Sequence, residues 1–304
     1  MATTNVISML SFNVLAPSWA DPSYYPNVAE KWLIPSGKRI ERTVKYIVKR
    51  CDDSFDVLDA MAFQETEEMF HTILHGAITT KYHYARANHD DTYWSKHAVA
   101  SNGRSTLFMS NGVSLALRRD RYDDVSYYDI ALGTGNHCVV ALARHRASQC
   151  TVCFASVHFD SDKSWRRDVE IRNFTNAIES LTDTRRTVVV AGDFNATLED
   201  SIVNMTFTRH AFVDVSSALN MVHHERSDRL LEVKSSGERH HVMVKTPRYI
   251  QAKPLHFLVE PITTITTETL RDVVSDALEY FGSDRSPIIA TIEIINNSDN
   301  NHEE

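Results

Sequence analysis

Apolar positions along this chain follow two spacings, one typical of buried strands and one typical of amphipathic helices. Apolar residues recurring every three to four positions predict helices across 40–48 and 171–181, and a further helix is expected from Glu65 onward. Short runs of β-branched and small apolar residues predict strands at 6–15, 55–63, 113–117, 138–143, 151–157, 187–191, 255–259 and 287–295. Strands and helices mixed in this order, without a break in composition, favour a single α/β domain over two independent ones.

The segments between these elements are polar or rich in turn-forming residues. Residues 17–35 contain four prolines, and residues 86–106 are rich in His, Asn, Asp and Ser and predict a long surface loop. The adjacent pairs His223-His224 and His240-His241 are interpreted as loop residues, because neighbouring side chains diverge. The domain is therefore expected to span 1–295, followed by a polar tail at 296–304 that has nothing to bury.

Composition narrows the class of protein. Of 304 residues, 42% are hydrophobic and 24% are charged, which is typical of globular proteins and excludes disordered, collagenous and coiled-coil classes. The formal charge of −8 argues against a broad surface that wraps duplex nucleic acid. Four scattered cysteines are too few for a disulfide framework and indicate a reducing compartment. With no secretory signal or membrane-length apolar run, we expect a cytoplasmic or nuclear protein that is neither secreted nor membrane-bound.

Polar residues that suit catalysis stand at the ends of several predicted strands. Side chains at the rim of one sheet can converge on a single cleft, where carboxylate and amide oxygens are natural ligands for Mg²⁺. Taken singly, each is more typical of an ordinary turn. In chain order they are Asn13, Glu65, His158, Asp193, Asn195 and Asp284.

The ordered series of motifs is more specific than any one residue. It comprises Ser-Phe-Asn-Val-Leu-Ala-Pro (11–17), Phe-Gln-Glu (63–65), Asn-Gly-Val-Ser-Leu-Ala-Leu-Arg-Arg-Asp-Arg-Tyr (111–122), Ser-Val-His-Phe (156–159), Ala-Gly-Asp-Phe-Asn (191–195) and Gly-Ser-Asp-Arg-Ser-Pro-Ile (282–288). In order and spacing these blocks resemble the endonuclease/exonuclease/phosphatase superfamily over about residues 8–295. The opening block looks most like the messenger-RNA deadenylase and nocturnin-type branch.

The resemblance to this superfamily implies a particular fold and a bound divalent cation. The fold is a four-layered α/β sandwich, with two mixed β-sheets face to face and helices outside. By matching position, Glu65 would be the main ligand of Mg²⁺ or Mn²⁺, assisted by Asn13 and Asp284. The implied activity is metal-dependent cleavage of phosphate esters at one edge of the sandwich.

The resemblance also implies catalytic roles. Asp193 and Asn195 would orient water and the scissile phosphate, and His158 matches a position that contacts phosphate. In-line attack on phosphorus needs charge neutralised on the equatorial oxygens and a water held opposite the leaving group.

Two positions depart from the family pattern. Where the family carries Ser-Asp-His, this chain carries Arg285, and His256 stands where an Asp usually orients that histidine. Arginine donates hydrogen bonds to a phosphate but stays protonated, so it cannot act as a base. A rearranged site that uses Arg285 and His256 and a site that has lost its catalytic partners both remain open.

Three further residues are candidates for substrate binding. Arg166 and Arg167 follow His158 closely and would line the path of a polyanion, although an exposed helix start explains them equally well. Trp19 follows Asn13 in the turn-rich segment, where it could stack on a base or plug the core.

The leading hypothesis is a Mg²⁺-dependent phosphodiesterase that acts on single-stranded RNA. A catalytically silent member of the fold that binds RNA or a phosphorylated ligand, or serves as an interaction scaffold, is the first alternative, and Arg285 favours it. A phosphatase acting on a nucleotide or an inositol phosphate is the second, because it would share the same cleft.

Overall fold

The computed structural model describes residues 3–20, 25, 28, 30–33, 36–52, 57–90, 111–182, 186–197, 200–220, 239–247, 250–259, 278, 281, 283 and 287–296. Within this part of the chain the strands are β1 Thr3–Asn13, β2 Ala60–Thr66, β3 Tyr82–Asn88, β4 Gly112–Arg118, β5 Tyr122–Ala131, β6 His137–His145, β7 Thr151–His158, β8 Thr187–Asp193, β9 Val213–Asp214, β10 His240–Lys245, β11 Ile250–Val259 and β12 Ile288–Asn296. The helices are α1 Glu30–Leu33, α2 Ser36–Asp52, α3 Glu68–Ile78, α4 Ser164–Leu181, α5 Ser201–Arg209 and α6 Val215–Asn220.

These strands form two mixed six-stranded sheets. Strand order is β11-β12-β1-β2-β4-β3 in the first sheet and β5-β6-β7-β8-β10-β9 in the second. In each sheet the two central strands are parallel, β1 with β2 and β7 with β8. The carboxyl ends of parallel neighbours meet at one edge, so each sheet gathers the residues that follow its central strands.

The sheets pack face to face and helices cover their outer faces. Strand residues alternate between faces, so Met9 and Val189 belong to the core between the sheets, whereas Leu10 and Val190 face outward. The outer core of the first sheet includes α2 and α3, and that of the second includes α4 and α5. This confirms the predicted four-layered α/β sandwich.

Several predicted elements differ from the structure. The second strand continues to Thr66, so Glu65 lies within the strand and the helix begins at Glu68. The expected loop at 86–106 begins within β3, and residues 91–110 lie outside the described part. His240 and His241, interpreted as loop residues, lie in β10 instead, because Val242 and Val244 place this segment against β8.

Two properties bear on the expected compartment. The four cysteines are free thiols, as expected from their scatter. No helix in the described ranges is long and apolar enough to cross a bilayer.

Gly192 provides a test of how closely β7 and β8 must approach. A Cβ at Gly192 would lie 2.0 Å from the carbonyl oxygen of Val157. We therefore expect Gly192→Ala to lower the free energy of unfolding by about 1–3 kcal/mol, as overpacking does, measured by urea denaturation.

Gly76 in α3 supplies the control, because a Cβ added there would meet no atom within 4 Å. Gly76→Ala should stabilise the protein by about 0.5–1 kcal/mol through helix propensity. Equal stability of the Gly192→Ala variant and wild type would contradict the close approach.

Candidate functional site

The alternation of the central strands brings polar side chains together between the two sheets. Counting from the core residues Met9 and Val189 in steps of two leads to Asn13 on β1 and Asp193 on β8. Both lie at the carboxyl end of their strand, where the apolar core between the sheets stops. Each sheet thus directs one of these polar residues into the space between the two sheets.

Asn13 connects the two sheets directly. Its Nδ2 donates hydrogen bonds to Oε1 of Glu65 at 2.7 Å and to Oδ2 of Asp193 at 3.2 Å. Its Oδ1 accepts the backbone N–H of Leu15 at 3.0 Å. Asn13 and Asp193 are each only 1% exposed, so this amide separates two carboxylates in a largely desolvated site.

Glu65 is directed into the site by its backbone. Its φ of +57° lies in the left-handed region, and the pairing of β2 with β4 shifts register between Gln64 and Thr66. Its other carboxylate oxygen, Oε2, accepts the N–H of Ala16 at 3.0 Å. The irregularity thus gives Glu65 contacts with both Asn13 and the chain that follows it.

Positive φ values recur around this site. Leu15 has a φ of +53° and Asn195 a φ of +50°, in addition to Glu65. Leucine and glutamate rarely adopt this conformation, and such strain is concentrated at functional sites in proteins.

Asn195 closes the turn after β8. Its N–H donates to Oδ1 of Asp193 at 2.9 Å, and its Nδ2 donates to the carbonyl of Phe159 at 2.9 Å. Asn195 therefore lies beside Asp193, as the sequence predicted, with its NH₂ group engaged in holding the turn.

His158 lies in register with Asp193 across the β7–β8 pair and is half-buried. Its ring centroid is 6.2 Å from that of His89, whose Nδ1 accepts the N–H of His137 at 3.0 Å. Burial, and then the charges of His158 and His137, hold the pKa of His89 well below its usual range. His89 is thus a neutral neighbour of His158.

His240 is the site residue that sequence reasoning missed. It lies opposite Asp193 in the β8–β10 pair, it is 1% exposed, and its Nε2 is 2.9 Å from Oδ2 of Asp193. The alternation of His240, Val242 and Val244 was the available signal for a strand. Because histidine is polar, His240 did not extend the apolar part of that pattern.

The two predicted arginines lie at the start of α4 and contact the preceding loop. Nη1 of Arg166 is 3.5 Å from Oδ2 of Asp160, and Nη1 of Arg167 donates to the carbonyl of Asp160 at 3.0 Å. Both guanidinium groups are mostly covered. Next to them, Trp165 is 58% exposed, with the Arg166 guanidinium 5.3 Å from its ring centroid.

The remaining predicted residues have no described contact with this cluster or lie outside the described ranges. Trp19 packs against a small apolar cluster that includes Leu33 and Leu278. His256 is exposed on β11, at the edge of the first sheet.

Asp284 and Arg285 lie outside the described residues, so their roles stay predictions. Ser283, directly before them, is buried, and its Oγ donates to the backbone carbonyl of Asn13 at 2.7 Å. This contact places Ser283 next to the site.

The donors at this site suit a hard cation. Glu65 offers two carboxylate oxygens, and Asn13 offers an amide oxygen that also accepts the N–H of Leu15. The described residues contain no group of three His, Cys, Asp or Glu side chains able to hold a metal by themselves. Mg²⁺ commonly binds through one or two carboxylates and keeps several waters or substrate phosphate oxygens. The residues present therefore fit a magnesium ion that shares its coordination with water and substrate.

Comparison with known proteins shows a shared fold despite low sequence identity. No protein-family model and no curated protein matches the sequence. An endonuclease/exonuclease/phosphatase family protein from Bacteroides thetaiotaomicron has a TM-score of 0.60 at 13% identity, with 96% of this chain and 98% of that chain covered. The human Nocturnin catalytic domain with bound sulfate has a TM-score of 0.61 at 12% identity, with 97% of each chain covered.

A third solved structure is similar over a comparable length. ANGEL2, a 2′,3′-cyclic phosphatase in complex with adenosine-2′,3′-vanadate, has a TM-score of 0.63 at 15% identity, with 97% of this chain and 99% of that chain covered. These likenesses confirm, at the level of fold, the resemblance that the motifs predict.

Substituting Asn13 tests the bridge between the two carboxylates. Asn13→Asp replaces a shared donor with a third negative charge, so we expect it to lower the free energy of unfolding by about 3 kcal/mol in the presence of a chelator. Asn13→Ala, which removes the donor without adding charge, should lose less. Urea denaturation measures both, and a wild-type value for Asn13→Asp would contradict the bridge.

Proposed function

We propose that this chain is a divalent-metal-dependent phosphoric ester hydrolase that cleaves phosphodiester bonds in single-stranded RNA. The observation that carries the proposal is the pair of carboxylates, Glu65 and Asp193, brought from opposite sheets to one buried amide at Asn13. A fold shared with nucleases and phosphatases supports the same class of reaction. The four free cysteines favour action in the cytoplasm or nucleus.

Glu65 and Asn13 would hold Mg²⁺ or Mn²⁺, with Asp284 assisting. When bound, the cation neutralises charge on the phosphate oxygens and polarises the phosphorus centre. The protein's own contribution is to fix Glu65 through Ala16 and Asn13, so that its carboxylate needs no reorganisation when substrate arrives.

In this proposal Asp193 would orient the attacking water and accept its proton. Its Oδ1 is held by the N–H of Asn195, whereas its Oδ2 faces Asn13 and the space between the sheets. His158, in register with it, would donate a hydrogen bond to a phosphate oxygen. Asn195 maintains the turn that presents Asp193.

Single-stranded RNA is proposed as substrate because an exposed aromatic side chain follows His158 in the chain. Trp165 exposes an aromatic face at the start of α4, soon after His158, and bases stack on such faces without regard to sequence. Arg166 adds positive charge beside the ring. ANGEL2, which has a similar fold, binds adenosine-2′,3′-vanadate, which agrees with a ribose-containing substrate.

The activity test uses end-labelled oligo(A) and mixed-sequence RNA with Mg²⁺ or Mn²⁺. We expect metal-dependent shortening that Glu65→Gln lowers by at least about 10²-fold, because the amide loses the charge that holds the cation. Glu68→Gln is the matched control, since Glu68 is exposed and pairs with Arg86 at the surface.

Two other outcomes distinguish the alternatives. Binding of RNA without cleavage, together with cleavage by Arg285→His, would establish the catalytically silent alternative and contradict hydrolysis by the natural chain. Cleavage of a nucleotide or inositol phosphate in place of RNA would keep the reaction class and overturn the substrate.

A further inference from the structure

His240 occupies a place in the sheet that gives it direct access to Asp193. Asp193 lies in register with His158 on β7 and with His240 on β10, so the three residues form a row across adjacent strands. Partners in register project from the same face of a sheet. Since Asp193 faces the other sheet, His240 faces it as well.

The contact between His240 and Asp193 is shielded from water. The side chain of His240 is fully covered, and its Nε2 lies 2.9 Å from Oδ2 of Asp193, a distance typical of charge-assisted hydrogen bonds. The short distance between these two atoms, and not a hydrogen-bond angle, defines the contact. Neither ring nitrogen has a hydrogen-bond partner among the described residues, which is unusual for a buried imidazole.

We infer that His240 is a positioning residue for Asp193, an inference that rests on the proposed hydrolysis. Oδ1 of Asp193 is fixed by Asn195, and Oδ2 receives Asn13 Nδ2 and His240 Nε2. A carboxylate contacted at both oxygens keeps one orientation.

The neighbouring histidine offers a matched control on the same strand. His241 is also buried, but it faces the opposite side of the sheet, where its Nδ1 is 3.4 Å from Oδ1 of Asp214 and its Nε2 is 3.0 Å from the carbonyl of Ala196. The two residues therefore share a strand, burial and an aspartate partner, and differ in which aspartate they contact.

The kinetic test compares His240→Leu, His240→Gln and His241→Gln in the Mg²⁺-dependent RNA assay. We expect His240→Leu to lower kcat by about 10–100-fold with KM unchanged, and His240→Gln, which retains a donor, to recover part of the loss. His241→Gln should keep the wild-type kcat. In an Asp193→Asn background, His240→Leu should cost no further activity, because its effect passes through Asp193.

A measurement without substrate separates this inference from the proposed function. In ¹⁵N histidine NMR spectra, the signals that His240→Gln removes should shift in Asp193→Asn and stay in place in Asp214→Asn. If the NMR shift is seen and no cleavage occurs in wild type, the hydrolysis fails while the contact stands. Unchanged signals in Asp193→Asn, or equal kinetic losses from His240→Leu and His241→Gln, would overturn the inference.

Discussion

The amide of Asn13 joins the two sheets by hydrogen bonds at the candidate site. Its Nδ2 lies between Glu65 on β2 and Asp193 on β8, so the separation of the carboxylates is set by how the two sheets pack. Apolar residues hold that separation over most of the interface. A change in sheet spacing would break the hydrogen bond from Asn13 to Asp193, because Asn13 and Glu65 belong to one sheet and Asp193 to the other.

Irregular backbone at a few positions is needed, in addition to the regular strands, to assemble the site. Regular strands place Asn13 and Asp193, but Glu65 reaches the site through a left-handed residue and a register shift. Gly192 allows β7 and β8 to approach closely just before His158 and Asp193. The site therefore combines strong packing with a few strained positions, and these are held by hydrogen bonds such as that from Ala16 to Glu65.

The sequence predicted the central strands well because both of their faces are buried. Val188 to Ala191 form a continuous apolar run, and the polar residues that follow mark its end. Strand β5 escaped prediction because it is an edge strand with one partly exposed face, so its apolar pattern is broken by aspartates. The sequence indicated that Asn13 stands at the end of a strand. It could not indicate the hydrogen bond from Asn13 to Asp193, because the two residues are 180 positions apart.

Among the described residues, the four edge strands β3, β5, β9 and β11 bear on how this protein behaves at high concentration. Unpaired strand edges are templates for association with other chains. Here β9 is only two residues long, β5 shifts register next to Asp123, and β11 carries Pro254 at a register shift of its own. Because of these interruptions, β5, β9 and β11 offer no long, flat edge on which a neighbouring molecule could extend the sheet. Among the described edge strands, β3 is the most regular.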